Sequence, residues 1–278
     1  MKHFKHPVFI VSLLLVFNGC ASYQSASSNS TPSVSVLDRI IDKELIRVGT
    51  TGDYLPFSYQ LNNEPDEYHG IDIAMAKDLG NSLNVKVEFV KTTWPTLLED
   101  LTQGKFDIAM SGVTITLARQ ATALFSIPLY VSGKSAITKD EDADEYRTLE
   151  AINRSEVRVI VNPGGTNEAF ARKNFPEATI VMNEDNLSIF QKIVDGKADV
   201  MITDASETLV QELIHPELEA VNPHDPFNYF ELGFLLPRDL IFKEYIDQWI
   251  HFRKKDGTYE QLFNDEFLKI KENINHLE

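Results

Sequence analysis

A loop suited to binding an anion is followed by a helix with an acidic residue in its first turn. Residues 161–170 read VNPGGTNEAF, between the apolar run EVRVIV and the helical pattern NEAFARKNF. Glycines before a helix expose backbone N–H groups, and the helix N-terminus favours negative charge. An ionised Glu168 would repel a bound anion, whereas a protonated one would not, so Glu168 is a candidate proton donor. Alternatively, Glu168 only complements the helix dipole, with Gly165 as the N-cap.

The elements that position this loop occur twice along the chain. LTQGKFDIAMSG and IVDGKADVMITD both read as the end of a helix, a Gly-Lys-x-Asp turn, an apolar strand and a polar end. This weak repeat predicts an α/β fold with two Rossmann-like lobes of similar topology, each with a mostly parallel sheet. Because open α/β sheets bind ligands at the carboxyl ends of their strands, two facing lobes form a ligand cleft.

The lobe boundaries follow from where the chain is expected to cross between lobes. We expect crossings near Tyr130–Lys134 and near Pro226–Leu235. Two connecting strands form a hinge that can close the cleft. The predicted lobes are residues 37–131 with 227–278 (lobe 1), and residues 132–226 (lobe 2). The C-terminal helices should pack back on lobe 1.

The N-terminus reads as a targeting segment. Residues 1–19 combine two lysines with a short apolar run, which is typical of a signal peptide and too short for a permanent membrane span. Cys20, the only cysteine, follows this run and is a candidate lipidation site; signal cleavage nearby is the alternative. The serine-rich residues 20–36 predict a flexible tether. We therefore expect an exported, periplasmic protein whose only membrane attachment is a lipid on Cys20.

Composition excludes several classes of partner. The formal charge of −16 argues against nucleic acid and against an anionic membrane surface. His215 and His224 show no metal-ligand spacing, and the acidic runs NEPDEY and DEDADEY lack the spacing of a calcium loop. We expect no metal, no cofactor, and a small carboxylate as the ligand.

Several stretches resemble the periplasmic amino-acid-binding proteins of bacterial uptake systems, namely YLPFSY, TWPTLLEDLTQGKFDIAMSGVTITLARQ, FSIPLY and DGKADVMITD. The resemblance implies the two-lobed periplasmic binding protein fold of type II. It implies that Arg119, after S-G-x-T-x-T, clamps a ligand carboxylate, with Ser111 and Thr114 beside it. Asp204 would take a ligand ammonium while also serving as a helix N-cap, and an aromatic of YLPFSY, for which Tyr54 is favoured, would stack on the ligand.

A narrower resemblance concerns VNPGGTNEAFAR, EDNLSIFQKIVDGKADVMITDASE and LLPRD. These stretches look like the cyclohexadienyl dehydratases, periplasmic enzymes that convert prephenate to phenylpyruvate and arogenate to phenylalanine. The resemblance implies that Glu168 protonates the departing hydroxyl, a contribution of typically about 10²–10⁴-fold. An acid effective at neutral pH needs a raised pKa, which burial in a closing apolar cleft provides.

The remaining candidates are expected to shape the pocket. The backbone around Gly165 and Thr166 would hold a carboxylate, and Trp94 would line a dry pocket, although a core position beside Pro95 fits Trp94 equally well. Lys134 is either a cation of the site or a solvated hinge lysine.

One departure from the dehydratase pattern concerns the return strand. Leu232, Gly233 and Phe234 stand where those enzymes have a lysine-alanine-tyrosine run. A cation that could hold a substrate carboxylate is therefore missing at this point of the chain.

Two functions remain open from the sequence. The first is a lyase, a prephenate or arogenate dehydratase with Glu168 as the acid. The second is an amino-acid receptor of an ABC transporter, in which Arg119 and Asp204 bind the ligand and Glu168 favours a cationic side chain. They differ in whether Glu168 faces an apolar cleft.

Overall fold

The computed structural model describes residue 1 and residues 34–277. The predicted lipidation site, Cys20, lies outside the described residues. Among those described, no helix is both long and apolar enough to cross a membrane. The first helix begins at Val36 and is capped by Ser35. The Ser35 hydroxyl accepts the Asp38 backbone N–H, and the Asp38 carboxylate accepts the Ser35 backbone N–H. This capping box satisfies two of the backbone N–H groups that have no partner within the helix.

The chain alternates strands and helices. The strands are β1 Leu45–Thr50, β2 Asp53–Tyr54, β3 Ser58–Leu61, β4 Glu64–His69, β5 Lys86–Lys91, β6 Ile108–Ala109, β7 Leu124–Phe125, β8 Tyr130–Ser132, β9 Lys134–Lys139, β10 Arg158–Val161, β11 Thr179–Met182, β12 Val200–Asp204, β13 Leu218–Val221, β14 Phe230–Leu232 and β15 Leu235–Leu236. The α-helices are α1 Val36–Lys43, α2 Ile71–Leu83, α3 Leu97–Thr102, α4 Leu117–Gln120, α5 Leu149–Ile152, α6 Thr166–Asn174, α7 Ile189–Val194, α8 Ala205–Ile214, α9 Leu240–Lys255 and α10 Thr258–Glu272. Two 3-10 helices span Asp140–Tyr146 and Ile274–His276.

Two five-stranded sheets share one topology. Their strand orders are β5-β1-β6-β15-β7 and β11-β10-β12-β9-β13. In each sheet the first three strands are parallel, and the fourth, β15 or β9, runs antiparallel to both of its neighbours. The α/β two-lobed fold predicted from the repeat is therefore confirmed, and each sheet is mostly parallel, as expected.

The Gly-Lys-x-Asp repeat has the same structural role in both sheets. At the start of β1, the backbone N–H of Arg47 donates to Asp107 over 2.9 Å and its guanidinium donates to Gly104 O. At the start of β10, Arg158 makes the same pair of contacts with Asp199 and Gly196 O. An arginine thus ties each strand to the turn that precedes the neighbouring strand, which fixes the register of the parallel pair.

The connections between the two sheets pair with each other. Strands β8 and β14 form a two-stranded antiparallel ribbon, as expected of a two-strand hinge. The C-terminal helices pack on the first sheet, where Phe242, Ile246 and Trp249 join Ile46 and Val48 in one buried cluster. The exact lobe boundaries given above stay a prediction.

Candidate active site

A small cavity lies where the carboxyl ends of strands from both sheets meet. The first sheet supplies residues that follow β1, β5 and β6, and the second supplies residues at or after the ends of β10, β11 and β12. The lining residues are Tyr54, Trp94, Gly112, Thr114, Arg119, Lys134, Asn162, Gly165, Thr166, Asn167, Asn186, Thr203, Asp204 and Glu207. Parallel strands deliver these polar groups to one edge of each sheet, as the fold requires.

A buried ion pair forms one wall of the cavity. The Lys134 ammonium donates to Oδ1 of Asp204, and the Tyr54 hydroxyl donates to Oδ2 of the same carboxylate. Lys134 is 2% exposed and Asp204 is 3% exposed. Burial, together with the nearby negative charge of Asp204, raises the pKa of Tyr54 well above its usual range, so its hydroxyl stays protonated.

The same ammonium is held by two further groups. Lys134 Nζ donates to Thr166 Oγ1 over 2.9 Å and to Asn167 Oδ1 over 2.5 Å. An ammonium has three donors, and with Asp204 all three are used. Lys134 is therefore a fixed internal cation of the site.

Arg119 is the second cation of the cavity. Its Nη1 donates to Thr114 O over 2.8 Å, and its backbone N–H donates to the N-cap hydroxyl of Thr116. Burial lowers the pKa of Arg119, although an arginine remains charged at any ordinary pH. Among the described residues no carboxylate lies within 4 Å of its guanidinium, and Arg119 lines the cavity. The side chain can therefore pair with a ligand carboxylate.

Glu207, the third residue of α8, is the buried acid of the cavity. Its side chain is 0% exposed. The Thr203 hydroxyl donates to Oε2, and Asn186 Nδ2 lies 3.5 Å from Oε1. Burial raises the pKa of Glu207 to about 8, helped by the negative charges of Asp204 and Asp53. The carboxyl group is thus mostly protonated at neutral pH.

Contacts between the two lobes enclose the cavity. Asn186 Nδ2 of the second lobe donates to Asp53 O over 2.9 Å, and the Tyr54 hydroxyl of the first lobe donates to Asp204. Within the first lobe, the Trp94 indole N–H donates to Asp53 Oδ1 over 3.1 Å. Gly164, at φ +77°, lies so close to Pro95 that a Cβ would meet the proline ring at 2.7 Å. The Gly-Gly loop therefore allows the second lobe to approach Pro95 closely.

Glu168 does not occupy the position predicted for it. It is not among the described residues that line the cavity. Its carboxylate accepts the Gly164 N–H at 2.8 Å and pairs with Arg172, also at 2.8 Å. These bonds lower the pKa of Glu168, so it is ionised at neutral pH and poorly suited to donate a proton. The prediction that Glu168 is the general acid is therefore corrected, and the structure favours the alternative reading, an acid that complements the start of its helix.

Ser111 also lies outside the described lining of the cavity. Its hydroxyl bonds Thr51 through both the backbone N–H, at 3.1 Å, and the side chain, at 2.8 Å. It braces the loop after β1 instead of meeting a ligand directly. Asp204 occupies the N-cap position of α8, but its side chain makes no capping bond because both oxygens bind Lys134 and Tyr54.

The other predicted residues meet at the cavity. Tyr54, Trp94, Thr114, Arg119 and Lys134 all line it, together with Gly165, Thr166 and Asp204. Trp94 also packs against the core, so both readings of that residue hold. Which of these residues bind substrate stays a prediction.

Leu232, Gly233 and Phe234, which depart from the dehydratase pattern, are not among the described residues that line the cavity. Leu232 and Phe234 are buried in the core, and the Phe234 ring stacks on Trp249 at 6.0 Å. The Gly233 N–H donates to Val113 O. This segment supports the fold of the first sheet.

Sequence reasoning missed several lining residues, including Glu207. Thr203 lies at the end of the second copy of the repeat, and Glu207 lies three residues beyond that end, in ITDASE. One feature of the sequence could have indicated Glu207: it stands three positions after Asp204, the aspartate that ends a strand, and lies in the first turn of the helix that follows.

Comparison with known proteins agrees with the resemblance seen in the sequence. The chain matches the bacterial extracellular solute-binding proteins, family 3, over residues 46–269. It is 46% identical over 260 residues to the cyclohexadienyl dehydratase of Pseudomonas aeruginosa (strain PAO1), covering 94% of this chain and 93% of that protein.

Two solved structures are similar to this chain in fold as well as in sequence. An ancestral amino acid-binding protein, described as a precursor of cyclohexadienyl dehydratase, is 38% identical with a TM-score of 0.78 and covers 84% of this chain and all of that one. A putative binding component of an ABC transporter from Wolinella succinogenes, complexed with lysine, is 25% identical with a TM-score of 0.75, over 80% of this chain and 95% of that one. The predicted relationship is confirmed: the chain belongs to family 3 of the bacterial extracellular solute-binding proteins.

Proposed function

We propose that the protein is a cyclohexadienyl dehydratase, a lyase that converts prephenate to phenylpyruvate. The observation that carries this proposal is a fully buried glutamate with a pKa near 8 in the ligand cavity. An acid that is protonated at neutral pH can donate a proton to a departing hydroxide, and the elimination of water from prephenate needs such a donor. The 46% identity to a cyclohexadienyl dehydratase supports the same conclusion.

The reaction needs one proton and no redox partner. The bond between the ring carbon and its carboxylate breaks, and CO₂ leaves. The electron pair that remains shifts through the ring, which becomes aromatic, and expels the hydroxyl on the opposite carbon. That hydroxyl takes a proton from the acid and leaves as water. Phenylpyruvate keeps the side-chain carboxylate, and the ionised acid regains its proton from solvent.

Glu207 is the proposed proton donor. Its carboxyl faces the cavity between Thr203 and Asn186 and is shielded from water. Exclusion of water stabilises the neutral form of Glu207. It also leaves fewer groups, apart from Glu207, that can protonate the leaving hydroxyl. Once the proton is transferred, the Thr203 hydroxyl can donate to the new carboxylate.

Arg119 is the proposed anchor for a carboxylate of the substrate. It contributes unpaired donors in a buried position, where a charge-assisted bidentate contact is strong. The Thr166 hydroxyl lies 3.5 Å from the Thr114 hydroxyl, and both residues line the same cavity. Lys134 contributes positive potential while its donors remain bound to protein groups.

The family consists of extracellular proteins, so this chain acts outside the cytoplasm. We propose that it is held at the membrane by a lipid on Cys20. A membrane permease is a proposed partner only in the receptor alternative.

Formation of phenylpyruvate tests the proposal. Purified protein is incubated with prephenate at pH 7, phenylpyruvate is measured by its absorbance, and spontaneous conversion in a buffer blank is subtracted. Catalysed conversion with equimolar CO₂ is expected. If the rate does not exceed the blank, the dehydratase proposal is wrong and the receptor alternative stands.

A further inference from the structure

We propose that Asn186 holds the departing hydroxyl of the substrate beside Glu207, by accepting its hydrogen bond on a side-chain oxygen that the protein leaves unpaired. Asn186 lies in the loop between β11 and α7 and lines the cavity. The inference rests on the proposed function and adds a residue to its site.

The contact with Asp53 fixes which way round the Asn186 amide lies. Its Nδ2 lies 2.9 Å from the backbone carbonyl oxygen of Asp53, which can only accept a hydrogen bond. Turning the amide over would place Oδ1 against that oxygen, with no hydrogen between the two atoms. Nδ2 therefore faces Asp53, and Oδ1 is the amide atom left for another partner.

This oxygen is a buried acceptor without a donor. Asn186 is 3% exposed, and none of the described residues donates to its Oδ1. Among the described buried side-chain atoms that lack a partner, it is the only one on a residue of the cavity lining. Leaving a buried acceptor unpaired is unfavourable, so a ligand that brings a donor to this position gains from pairing with it.

The ring hydroxyl is the donor that prephenate can bring. The two carboxylates and the oxo group of prephenate only accept hydrogen bonds at neutral pH. The hydroxyl is therefore the one group of this substrate that can donate to Asn186 Oδ1. It is also the leaving group, so an acceptor for it acts on the reacting oxygen itself.

The unpaired oxygen belongs to a neighbour of the proposed acid. Asn186 Nδ2 lies 3.5 Å from Oε1 of Glu207, and both residues line the same cavity. A hydroxyl that donates to Asn186 keeps its lone pairs free, and Glu207 can protonate one of them. Such positioning is what general-acid catalysis requires, because the proton must pass over hydrogen-bond distance.

The contact should strengthen as the reaction proceeds. While Glu207 transfers its proton, the leaving oxygen becomes more positive, and its original O–H becomes a stronger donor to Asn186. A bond that is stronger in the transition state than in the ground state raises kcat. Because Nδ2 of the same amide binds Asp53 of the first lobe, the approach of the two lobes orients the acceptor.

Prephenate turnover and product binding together test this role. Asn186→Leu keeps the size of the side chain but removes Oδ1, so kcat/KM for prephenate should fall by about tenfold or more, mainly through kcat. Phenylpyruvate has no hydroxyl, so its inhibition constant should stay within about twofold of the wild type. Asn174→Leu is the matched control. It removes an amide that donates to Phe170 O and is not among the described lining residues, and it should change neither quantity.

Two results would overturn the inference. One is a folded Asn186→Leu variant with the kcat/KM of the wild type. The other is an equal weakening of prephenate turnover and of phenylpyruvate inhibition, which would mean that Asn186 only holds the lobes together. If Asn186→Leu does not fold, Asn186→Ala takes its place in both measurements, because it removes the same oxygen with a smaller side chain.

Failure of the proposed function gives a different result. If the wild type converts no prephenate, the dehydratase function is wrong, and calorimetric titration then measures the Kd of each ligand without turnover. Asn186→Leu should weaken prephenate binding by about tenfold and leave phenylpyruvate binding unchanged. The same Kd for prephenate in both proteins, or no binding of prephenate to the wild type, would overturn the inference as well.

Discussion

Two glutamates occupy the same position in two helices of the second lobe and have opposite chemistry. Glu168 is the third residue of α6, and Glu207 is the third residue of α8. Each follows a strand of the second sheet, so the helix dipole acts on both carboxylates in the same direction. Only their surroundings differ.

The difference shows that burial outweighs the helix terminus. Glu168 has a side chain 23% exposed, pairs with Arg172 and has a lowered pKa. Glu207 is fully buried between Thr203 and Asn186, and its pKa is raised to about 8. A partly exposed acid at a helix start supports the helix, whereas a buried one at the same position is available for proton transfer.

The largest expected effect comes from removing the buried acid. Glu207→Gln keeps the shape of the side chain but has no proton to donate, so kcat for prephenate should fall by about 10³-fold. KM should change little because the carboxylate anchor remains. Steady-state rates, with circular dichroism to establish folding, check this. A folded variant with kcat within tenfold of the wild type would remove Glu207 from the mechanism.

Loss of the substrate anchor should have the next largest effect. Arg119→Met keeps the apolar stem but leaves the substrate carboxylate unpaired, so kcat/KM should fall by about 10²-fold. Arg172→Met is the matched control, since it removes an exposed arginine that touches Glu168 and not the cavity; its kcat/KM should stay within about twofold of the wild type. Equal losses in the two variants would mean that Arg119 acts only through stability.

The pH dependence should follow the buried acid. Because the donor must be protonated, kcat should be constant below about pH 8 and fall about tenfold per pH unit above it. The raised pKa also makes folding less favourable as pH rises through about 8, while the stabilising contribution of protonated Glu207 is complete below its ordinary value of 4.5. Steady-state rates and chemical unfolding across pH 6–10 measure kcat and the free energy of unfolding. The spontaneous breakdown of prephenate without protein is measured at each pH and subtracted. A rate that rises through pH 8 would contradict the acid role.

Removing the partly exposed acid, Glu168, should have the smallest effect. Glu168→Gln should leave kcat within about twofold and lower the free energy of unfolding by about 0.5 kcal/mol, the usual size of an i,i+4 ion pair. Because its folded pKa is lowered, the stability that Glu168 provides should be present above its ordinary value of 4.5 and be lost as pH falls through its folded pKa. Urea unfolding and steady-state rates measure the two quantities. A hundredfold loss of kcat would restore Glu168 as the catalytic acid.

Much of the fold could be predicted because it repeats. The matching Gly-Lys-x-Asp segments indicated two similar sheets, and the arginine contacts at Asp107 and Asp199 show why each segment is needed. Arg119, Tyr54 and Asp204 follow strands in recognisable patterns, so their convergence at one cavity could also be expected.

The identity of the acid could not be predicted because depth of burial is a tertiary property. Glu168 follows a conspicuous Gly-Gly loop, whereas Glu207 lies in a short helical pattern with no marked local signal. Only packing of α8 between the sheet and the opposite lobe encloses Glu207. The pairing of Lys134 with Asp204 likewise joins residues 70 positions apart.

The protonation state of Glu207 can be observed directly by NMR. Protein labelled with ¹³C at glutamate side-chain carboxyls is titrated from pH 5 to pH 10, and Glu207→Gln and Glu168→Gln identify the two resonances. We expect the Glu207 resonance to titrate near pH 8, and the Glu168 resonance to show an ionised carboxylate already at pH 5. A Glu207 resonance that is ionised throughout the same range would contradict the assignment of the proton donor.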